Sequence, residues 1–261
     1  MMLQNRIIPI LLLKDTGLVK TEKFKNPVYI GDPINAIRIF NDKQVDELIV
    51  LDIEATKKNS EPNYELIEQF ASECFMPLTY GGGINRLDQA EQIFSLGIEK
   101  ISIQSQSLEN YNLIKDLSQI YGSQSIVSSI DIKKNLFGRY KLYRSNSRKI
   151  LKRKIKSHIE KLIENGTGEI LINSVDKDGT LTGLDQKMIE LFCKDLPVPC
   201  IVSGGANSLN DFKKAVDAGA SAVAAGAYFV FNGPHRAVLI TYPEYSELEQ
   251  LFKDTKKNKR L

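Results

Sequence analysis

The chain has 261 residues, of which 42% are hydrophobic and 26% are charged, and its formal net charge is +3. These proportions are ordinary for a soluble globular protein and argue against a collagen-like, disordered or membrane-spanning chain. The small net charge argues against a nucleic-acid partner, and we interpret the basic residues of 149–156 as a solvated helix face. The length allows one large α/β domain or two small ones, and we predict one domain over 1–261.

Cysteine usage and hydropathy indicate the compartment. The three cysteines, Cys74, Cys193 and Cys200, have no spacing typical of a metal site or of a disulfide framework. We therefore predict no metal, no cofactor and a reducing environment. The apolar run 7–13 is too short for a membrane span or for a signal segment with its cleavage site. The sequence predicts a cytoplasmic protein without a membrane partner.

Eight apolar runs of strand length alternate with segments of helical period. Most runs are continuously apolar, which is typical of parallel strands covered on both faces. The predicted strands are Arg6–Leu13, Glu47–Ile53, Leu78–Tyr80, Lys100–Gln104, Ser125–Ile132, Glu169–Ser174, Cys200–Ser203 and Ala222–Gly226. The predicted helices are Pro33–Val45, Asn63–Cys74, Leu87–Ser95, Leu108–Tyr121, Arg148–Glu164, Gln186–Lys194, Leu209–Ala218 and Glu244–Lys253. Eight such units favour a (βα)8 TIM barrel, with a doubly wound open sheet as the alternative.

The two halves of the chain match each other at a shift of 122 residues. Two glycine turns and the ends of the helices that follow them superpose without a gap. Gly82, Gly83, Leu87 and Gly97 fall on Gly204, Gly205, Leu209 and Gly219. This repeat predicts two half-barrels, at about 1–122 and 123–255, with a basic tail at 254–261.

Two insertions interrupt the regular strand–helix order. Residues 14–31 form a long predicted loop after the first strand, and Asn135–Arg144 alternates around Gly138 as a hairpin would. Both follow strand ends, so they belong to the face on which barrel enzymes build their active sites.

Four aspartates lie at or just beyond the carboxyl ends of strands. Asp52 lies at the end of the second strand and Asp131 at the end of the fifth, and Asp176 and Asp178 follow the sixth. Loop aspartates often cap helices or form turns. Several on one rim also predict a substrate site in which a carboxylate acts as general acid or base.

Glycine turns between strands and helices allow backbone N–H groups to approach an anion. They predict two phosphate sites, one in each half, for a ligand with two anionic ends; simple tight turns are the alternative. The predicted residues are Gly82, Gly83, Gln104, Ser105, Gly204, Gly205, Gly226 and Ala227, with Ser203 beside them. We expect valine at Gly82 or Gly204 to block the ligand without unfolding the barrel.

Charged residues also begin four of the strands: Arg6, Glu47, Lys100 and Glu169. Residues at this bottom face usually serve stability, so the pattern alone favours a salt-bridge plug over a functional gate. Of the two histidines, His158 lies among lysines and is predicted to be exposed. His235, in Gly-Pro-His-Arg, either contacts a substrate or belongs to a local turn.

Taken together, these motifs resemble the cyclase subunit of imidazole glycerol phosphate synthase over nearly the whole chain. The resemblance is carried by Arg6-Ile-Ile, Gly31-Asp32-Pro33, Asp46-Glu47-Leu48, Leu51-Asp52-Ile53, Gly81-Gly82-Gly83-Ile84, Gly122-Ser123-Gln124, Gly168-Glu169-Ile170-Leu171, Asp176-Lys177-Asp178-Gly179-Thr180 and Ser203-Gly204-Gly205. It implies a barrel whose bottom face docks a separate glutaminase and admits ammonia through a gate formed by Arg6, Glu47, Lys100 and Glu169. We add Lys20 to the predicted substrate site, with a phosphate-bearing small molecule as substrate.

The chain departs from the family pattern at residues that the resemblance places in the active site. The resemblance implies a catalytic pair of aspartates; Asp131 matches the second, but the first falls on Leu12, which cannot transfer a proton. Gln104-Ser105 stands where the family usually has Asn-Thr. The segment Gly233–Pro243 resembles a paralogous group associated with amidation of sugars for surface polysaccharides. Three hypotheses remain open: a synthase subunit for sugar amidation, a histidine-pathway cyclase, or a non-catalytic partner that activates the glutaminase.

Overall fold

The computed structural model describes residues 5–253 and has a closed barrel of eight parallel strands. With strands numbered in chain order, the barrel order is β1, β4, β5, β6, β7, β10, β11 and β12, and pairing of β12 with β1 closes it. The strands are β1 (Arg6–Lys14), β2 (Gly17–Glu22), β3 (Lys25–Gly31), β4 (Leu48–Asp52), β5 (Leu78–Gly81), β6 (Lys100–Ile103), β7 (Ile126–Lys134), β8 (Tyr140–Arg144), β9 (Lys149–Ile150), β10 (Glu169–Ser174), β11 (Cys200–Ser203), β12 (Ala222–Ala225), β13 (Phe231–Asn232) and β14 (Ala237–Val238). The predicted barrel is confirmed, and the open sheet is excluded.

Helices surround the barrel. They are α1 (Pro33–Asp42), α2 (Ala55–Lys58), α3 (Tyr64–Glu73), α4 (Leu87–Ser95), α5 (Ser105–Glu109), α6 (Asn112–Tyr121), α7 (Ile155–Glu164), α8 (Gln186–Phe192), α9 (Leu209–Asp217), α10 (Ala227–Val230) and α11 (Tyr245–Lys253). A 3-10 turn occupies Ser123–Ser125. No helix in the part of the chain that the structure describes is long and apolar enough to cross a membrane.

Three predicted elements were wrong. The single helix expected over Leu108–Tyr121 is two helices, α5 (Ser105–Glu109) and α6 (Asn112–Tyr121), because Asn110 has an extended backbone. The helix expected from Arg148 begins at Ile155, because Arg148 has a left-handed backbone (φ 55°) and Lys149–Ile150 pairs with β8. The expected loop over residues 14–31 is an antiparallel hairpin, in which β2 pairs with β1 and with β3. The second insertion is the expected hairpin, formed by β7 and β8 around Gly138. The predicted basic tail lies outside the described residues.

The apolar residues form two cores. The larger lies between the barrel and its helices and includes Phe40, Phe70 and Phe212. The smaller fills the barrel interior and includes Ile8, Ile49 and Leu171. The interior core is therefore a packed apolar layer between the two ends of the barrel.

Every second side chain of a barrel strand points into the barrel, and these inward-facing residues form a column along the strand. Their polarity changes from the bottom of the barrel to the top. In β10 the column runs from Glu169 through Leu171 to Asn173, and Leu171 belongs to the interior core. In β1 it runs from Arg6 through Ile8 and Ile10 to Leu12. Charged residues thus lie at the bottom and apolar residues in the middle, while the top of the β1 column is apolar where that of β10 is polar.

The half-barrel repeat is visible in equivalent contacts. The side chain of Gln89 accepts hydrogen bonds from the backbone N–H groups of Asn85 and Arg86 at 2.8 and 3.1 Å. Asp211, 122 positions later, accepts from Asn207 and Ser208 at 3.0 and 3.1 Å. In each half these hydrogen bonds hold the turn that precedes a helix, α4 in the first half and α9 in the second. Equivalent positions in the two halves therefore make equivalent contacts.

Candidate active site

A cavity of about 190 Å³ opens at the carboxyl ends of the strands. Both insertions contribute to its wall, through Phe24 between β2 and β3 and through Ser145, Asn146 and Arg148 after β8. The predicted residues that line it are Lys20, Asp52, Gly82, Gly83, Gln104, Ser105, Asp131, Asp178, Ser203, Gly226 and Ala227. Among residues 5–253, no group of three or more His, Cys, Asp and Glu side chains could hold a metal ion.

Asp131 is the most deeply placed carboxyl group of this cavity, at 8% exposure. Burial disfavours its charged form and raises its pKa to about 7, although the side chains of Gln104 and Ser145 act in the opposite direction. A carboxyl group of such pKa can donate or accept a proton near neutral pH, which suits general acid–base chemistry.

The side chain of Gln104 contacts Asp131. We predicted Gln104 as part of a phosphate turn, but its Nε2 donates to Asp131 Oδ2. Its Oε1 accepts from the Ser145 hydroxyl at 3.0 Å. Ser145, Gln104 and Asp131 therefore form one hydrogen-bonded chain along the cavity wall.

Lys20 is a buried amine in the same cavity. It is 5% exposed, its Nζ donates to the carbonyl oxygen of Ile10, and burial lowers its pKa to about 8. Leu12, the residue in place of the family's first aspartate, also lines this cavity and packs on the interior core. The site thus combines a buried amine and three aspartates, Asp52, Asp131 and Asp178, with an apolar side chain at Leu12.

Asp178 holds the β2–β3 hairpin against the sixth strand–helix loop. Its Oδ2 accepts from the Thr21 hydroxyl at 2.9 Å and from the Phe24 N–H at 3.5 Å. Its backbone carbonyl accepts from Lys23 N at 2.9 Å. Burial raises the pKa of Asp178, while these donors and the charge of Lys20 oppose that rise.

Two other predicted aspartates have local partners. Asp52 Oδ1 accepts from the N–H groups of Glu54 and Ala55 at 2.8 and 3.0 Å, and burial raises its pKa. Asp176 Oδ2 accepts from Lys134 N at 2.7 Å, and Asp176 is not among the residues that line the cavity. Asp52 therefore lines the site while capping α2, whereas Asp176 anchors the end of β7.

The glycine turns lie where they were predicted, and close packing requires each of them. A Cβ on Gly82 would lie 2.6 Å from the carbonyl oxygen of Asp52, and one on Gly204 would lie 2.6 Å from that of Ser174. Both have positive φ, 132° and 101°. Valine at either position would collide with a neighbouring strand, which argues against the expectation that it spares the barrel.

The two glycine turns lie beside two neighbouring cavities. A second cavity, of about 20 Å³, lies against the later turn and shares several residues with the first. Its wall includes Ser203, Gly204, Gly205, Gly226 and Ala227. Gln104 and Ser105 lie on the other side of the main cavity, with Gly82 and Gly83.

The four charged residues at the strand starts converge as predicted. Arg6 Nη1 lies 2.5 Å from Glu47 Oε2, and Arg6 Nη2 contacts Glu169. Lys100 Nζ lies 3.0 Å from Glu47 Oε1 and 3.2 Å from Glu169 Oε2. We call these four residues the charged ring; its two glutamates are 3% and 6% exposed.

Neither histidine lies in the cavity wall. His158 was predicted to be exposed, but it is fully buried in α7, and its Nδ1 lies 2.9 Å from the Tyr111 hydroxyl. The apolar face of α7 also carries Ile155, Ile159 and Leu162, which are spaced as one helical stripe with His158. His235 is exposed.

Sequence reasoning missed Asn173, Ser145 and Thr79. Asn173 lines the cavity, and its buried Oδ1 has no hydrogen-bond partner within residues 5–253. Thr79 donates to Glu47 Oε1 at 3.2 Å beside the charged ring. Counting every second residue along β10 from Glu169 would have identified Asn173 as inward-facing. The contact of Ser145 depends on hairpin geometry, for which no simple sequence signal exists.

Comparison with known proteins agrees with this geometry. Residues 6–234 match the family described as "Histidine biosynthesis protein". The chain belongs to this HisF-like family. A relative from Pseudomonas aeruginosa is 51% identical over 249 residues, covering 95% of this chain and 99% of its own length. It carries the provisional name imidazole glycerol phosphate synthase subunit hisF2.

Two further relatives extend the comparison. A Leptospira borgpetersenii protein, provisionally named imidazole glycerol phosphate synthase subunit HisF, is 48% identical over 253 residues, covering 96% of this chain and all of its own. A Streptococcus sanguinis protein bears the name imidazole glycerol phosphate synthase subunit HisF without that qualifier. It is 36% identical over 225 residues, covering 85% of this chain and 89% of its own. The two provisionally named relatives therefore have a higher sequence identity to this chain than the Streptococcus sanguinis protein has.

Proposed function

We propose that this chain is the ammonia-accepting synthase subunit of a two-chain glutamine amidotransferase, and that it serves the amidination of a sugar in surface-polysaccharide biosynthesis. A separate glutaminase docks at the bottom face and supplies ammonia. The glycine turns bind the phosphate groups of the substrate, and Asp131 acts as acid or base or orients ammonia. The reaction takes place in the cytoplasm.

The charged ring supports the ammonia route. Two cations and two anions neutralise each other at the bottom of the barrel axis, which makes a closed ring tolerable at a partly buried site. Above it lie the apolar interior and then the polar cavity. Ammonia is small and uncharged in its neutral form, so it can cross an apolar layer that excludes ions. Among residues 5–253 neither histidine hydrogen-bonds to a cysteine, and we infer that another protein makes the ammonia.

Leu12 is the observation that favours sugar amidination over histidine synthesis. The cavity has a buried acid at Asp131 but an apolar side chain in place of the second carboxyl group. A general acid or base contributes about 10² to 10⁴-fold to a rate, so a cyclase that lacks one of its pair is severely impaired. The provisional names of the more similar relatives are consistent with a branch separate from the histidine pathway.

The histidine-pathway cyclase is the alternative. It is supported by 36% identity to a HisF protein over 85% of this chain and by the retained Asp131, Asp178 and charged ring. In that reaction ammonia and a bisphosphate ribulosyl carboxamide give imidazole glycerol phosphate and aminoimidazole carboxamide ribotide. A third possibility is a non-catalytic partner that only activates the glutaminase.

An assay with ammonium salt and the bisphosphate histidine-pathway substrate distinguishes the histidine-pathway cyclase from the other two hypotheses. We expect turnover by the purified chain at least about 100-fold below that of the Streptococcus sanguinis HisF protein under the same conditions. Leu12→Asp should raise the activity, because it restores the missing carboxyl group to the cavity; Leu12→Asn is the matched control that adds polarity without a strong acid or base. Comparable turnover by the unaltered chain would establish the histidine-pathway alternative.

A further inference from the structure

The surroundings of Lys20 favour loss of its proton. A protonated lysine has three N–H donors, but Nζ has one hydrogen-bond partner among the described residues, the carbonyl of Ile10. The amine occupies the space that a Cβ at position 226 would fill, so Gly226 is part of its pocket. Unsatisfied buried donors are costly, which disfavours the ammonium form.

Asp178 is the carboxylate that acts on Lys20, and it does not form an ion pair with it. Its oxygen Oδ2 is already shared between Thr21 and Phe24. Burial outweighs its charge and lowers the pKa of Lys20 to about 8. Leu12, in the same cavity, contributes no carboxylate that would hold the lysine protonated. Desolvation without a counter-ion is one of the ways in which proteins activate a lysine as a nucleophile.

The cavity also contains the acid that such a nucleophile needs. Asp131 lines the same space and has a pKa of about 7, so a substantial fraction is protonated near neutral pH. The glycine turns on both sides leave backbone groups facing the cavity, which suits a phosphorylated ligand. The amine and the acid therefore line one cavity, and the glycine turns lie on either side of it.

We propose that Lys20 forms a Schiff base with the carbonyl carbon of a phosphorylated ketose or aldose bound in this cavity. The lone pair of Nζ attacks the carbonyl carbon, the carbonyl oxygen gains a proton and the nitrogen loses one, which gives a carbinolamine. Asp131 then protonates the hydroxyl group, which leaves as water while the C=N bond forms. In the reverse steps water adds to the C=N carbon, Asp131 regains its proton and Nζ leaves, so the amine is regenerated and the adduct serves to hold the sugar covalently in the cavity.

Reductive trapping tests this proposal. The full chain is incubated with ribulose 5-phosphate, reduced with sodium borohydride, digested and mapped by mass spectrometry. We expect the reduced pentitol phosphate adduct on the peptide that contains Lys20, at least tenfold above that on any other lysine. Lys20→Arg should remove it, and Lys23→Arg, on the same hairpin, should leave it unchanged.

Two outcomes would overturn the proposal: no adduct at Lys20 in the unaltered chain, or labelling of Lys20 no greater than that of exposed lysines. Because peptide mapping of the unaltered chain decides both, the test does not depend on whether the Lys20→Arg variant folds. The proposal goes beyond the proposed function, and its failure leaves that function standing, since ammonia can be accepted without a lysine adduct.

Discussion

At the scale of single residues, protonation of His158 makes the free energy of unfolding depend on pH. It is fully buried, it interacts with the Tyr111 hydroxyl, and Arg153 lies close to its Nδ1. Burial, followed by the charge of Arg153, lowers its pKa to about 4. The unfolded chain, with an ordinary pKa of 6.5, therefore binds more protons between these two values than the folded protein does.

This difference predicts a loss of stability as pH falls from 6.5 towards 4. Between pH 7.5 and pH 5 the contribution of His158 should be about 2 kcal/mol. Urea unfolding at the two pH values should show a smaller acid-induced loss in His158→Gln than in the unaltered protein. His235→Gln, at an exposed histidine, is the control and should behave like the unaltered protein. An equal pH response in all three would contradict the prediction.

Asp131 should have the opposite pH response. Its folded pKa, raised to about 7 by burial, lies above the model-peptide value of 3.8. The stability associated with its protonated form is therefore complete below about pH 4 and is lost as pH rises through 7. Asp131→Asn should remove this loss, so the variant gains stability relative to the unaltered protein between pH 6 and pH 8. Asp116→Asn, at an exposed aspartate, should gain nothing over that range.

At the scale of elements, the glycine turns hold neighbouring strands at contact distance. Gly82 and Gly31 have similar backbone angles, φ 132° and 144°. A Cβ on Gly82 would lie 2.6 Å from Asp52 O, whereas one on Gly31 would meet nothing within 4 Å. Substitution of Gly31 therefore measures backbone strain alone, whereas substitution of Gly82 measures backbone strain together with a steric collision.

We expect Gly31→Ala to cost about 1–3 kcal/mol through backbone strain alone. Gly82→Ala should cost about 1–3 kcal/mol more, because the added methyl group overpacks the contact between β4 and β5. Chemical unfolding of the two variants measures the difference. Equal costs would mean that the barrel relaxes around residue 82 and that the turn is not held by packing.

The barrel strands could be predicted because their signal is local. Continuous apolar runs identify buried parallel strands, and predicted strands such as Glu169–Ser174 and Cys200–Ser203 match the structure residue for residue. The start of α7 could not be found in the same way. Its lysine-rich approach has good helix propensity, but pairing of Lys149–Ile150 with a strand overrides it.

The site was predictable where residues follow strand ends and unpredictable where contacts join distant segments. Asp131 was identified from its place near the end of a predicted strand, and Asp178 and the glycine turns from their places after strands. The contact of Gln104 with Asp131 joins neighbouring strands 27 residues apart, so a local turn motif could not reveal it. His158 shares a helical spacing with the apolar residues Ile155, Ile159 and Leu162, which could have predicted its burial. The neighbouring lysines led instead to the prediction that it is exposed.

At the scale of the whole molecule, the two ends of the barrel have different chemistry. The bottom is closed by the charged ring, the middle is apolar, and the top is an open cavity rimmed by two hairpins. This order suits a protein that takes in ammonia at one end and presents it to a substrate at the other. The proposed function therefore requires the charged ring to be a passage for ammonia and not a structural plug.

The most direct test compares glutamine with ammonium salt as the nitrogen source. In a Leu12→Asp chain, whose cyclase product provides the readout, Lys100→Ala is assayed with each source in the presence of the glutaminase partner. We predict a larger fall with glutamine than with ammonium, because loss of one cation leaves Glu47 and Glu169 less compensated and distorts the ring. Lys134→Ala, which removes an ion pair with Asp185 away from the ring, should affect both sources alike. If Lys100→Ala lowers both rates equally, or neither, the charged ring is a structural plug and the ammonia route is wrong.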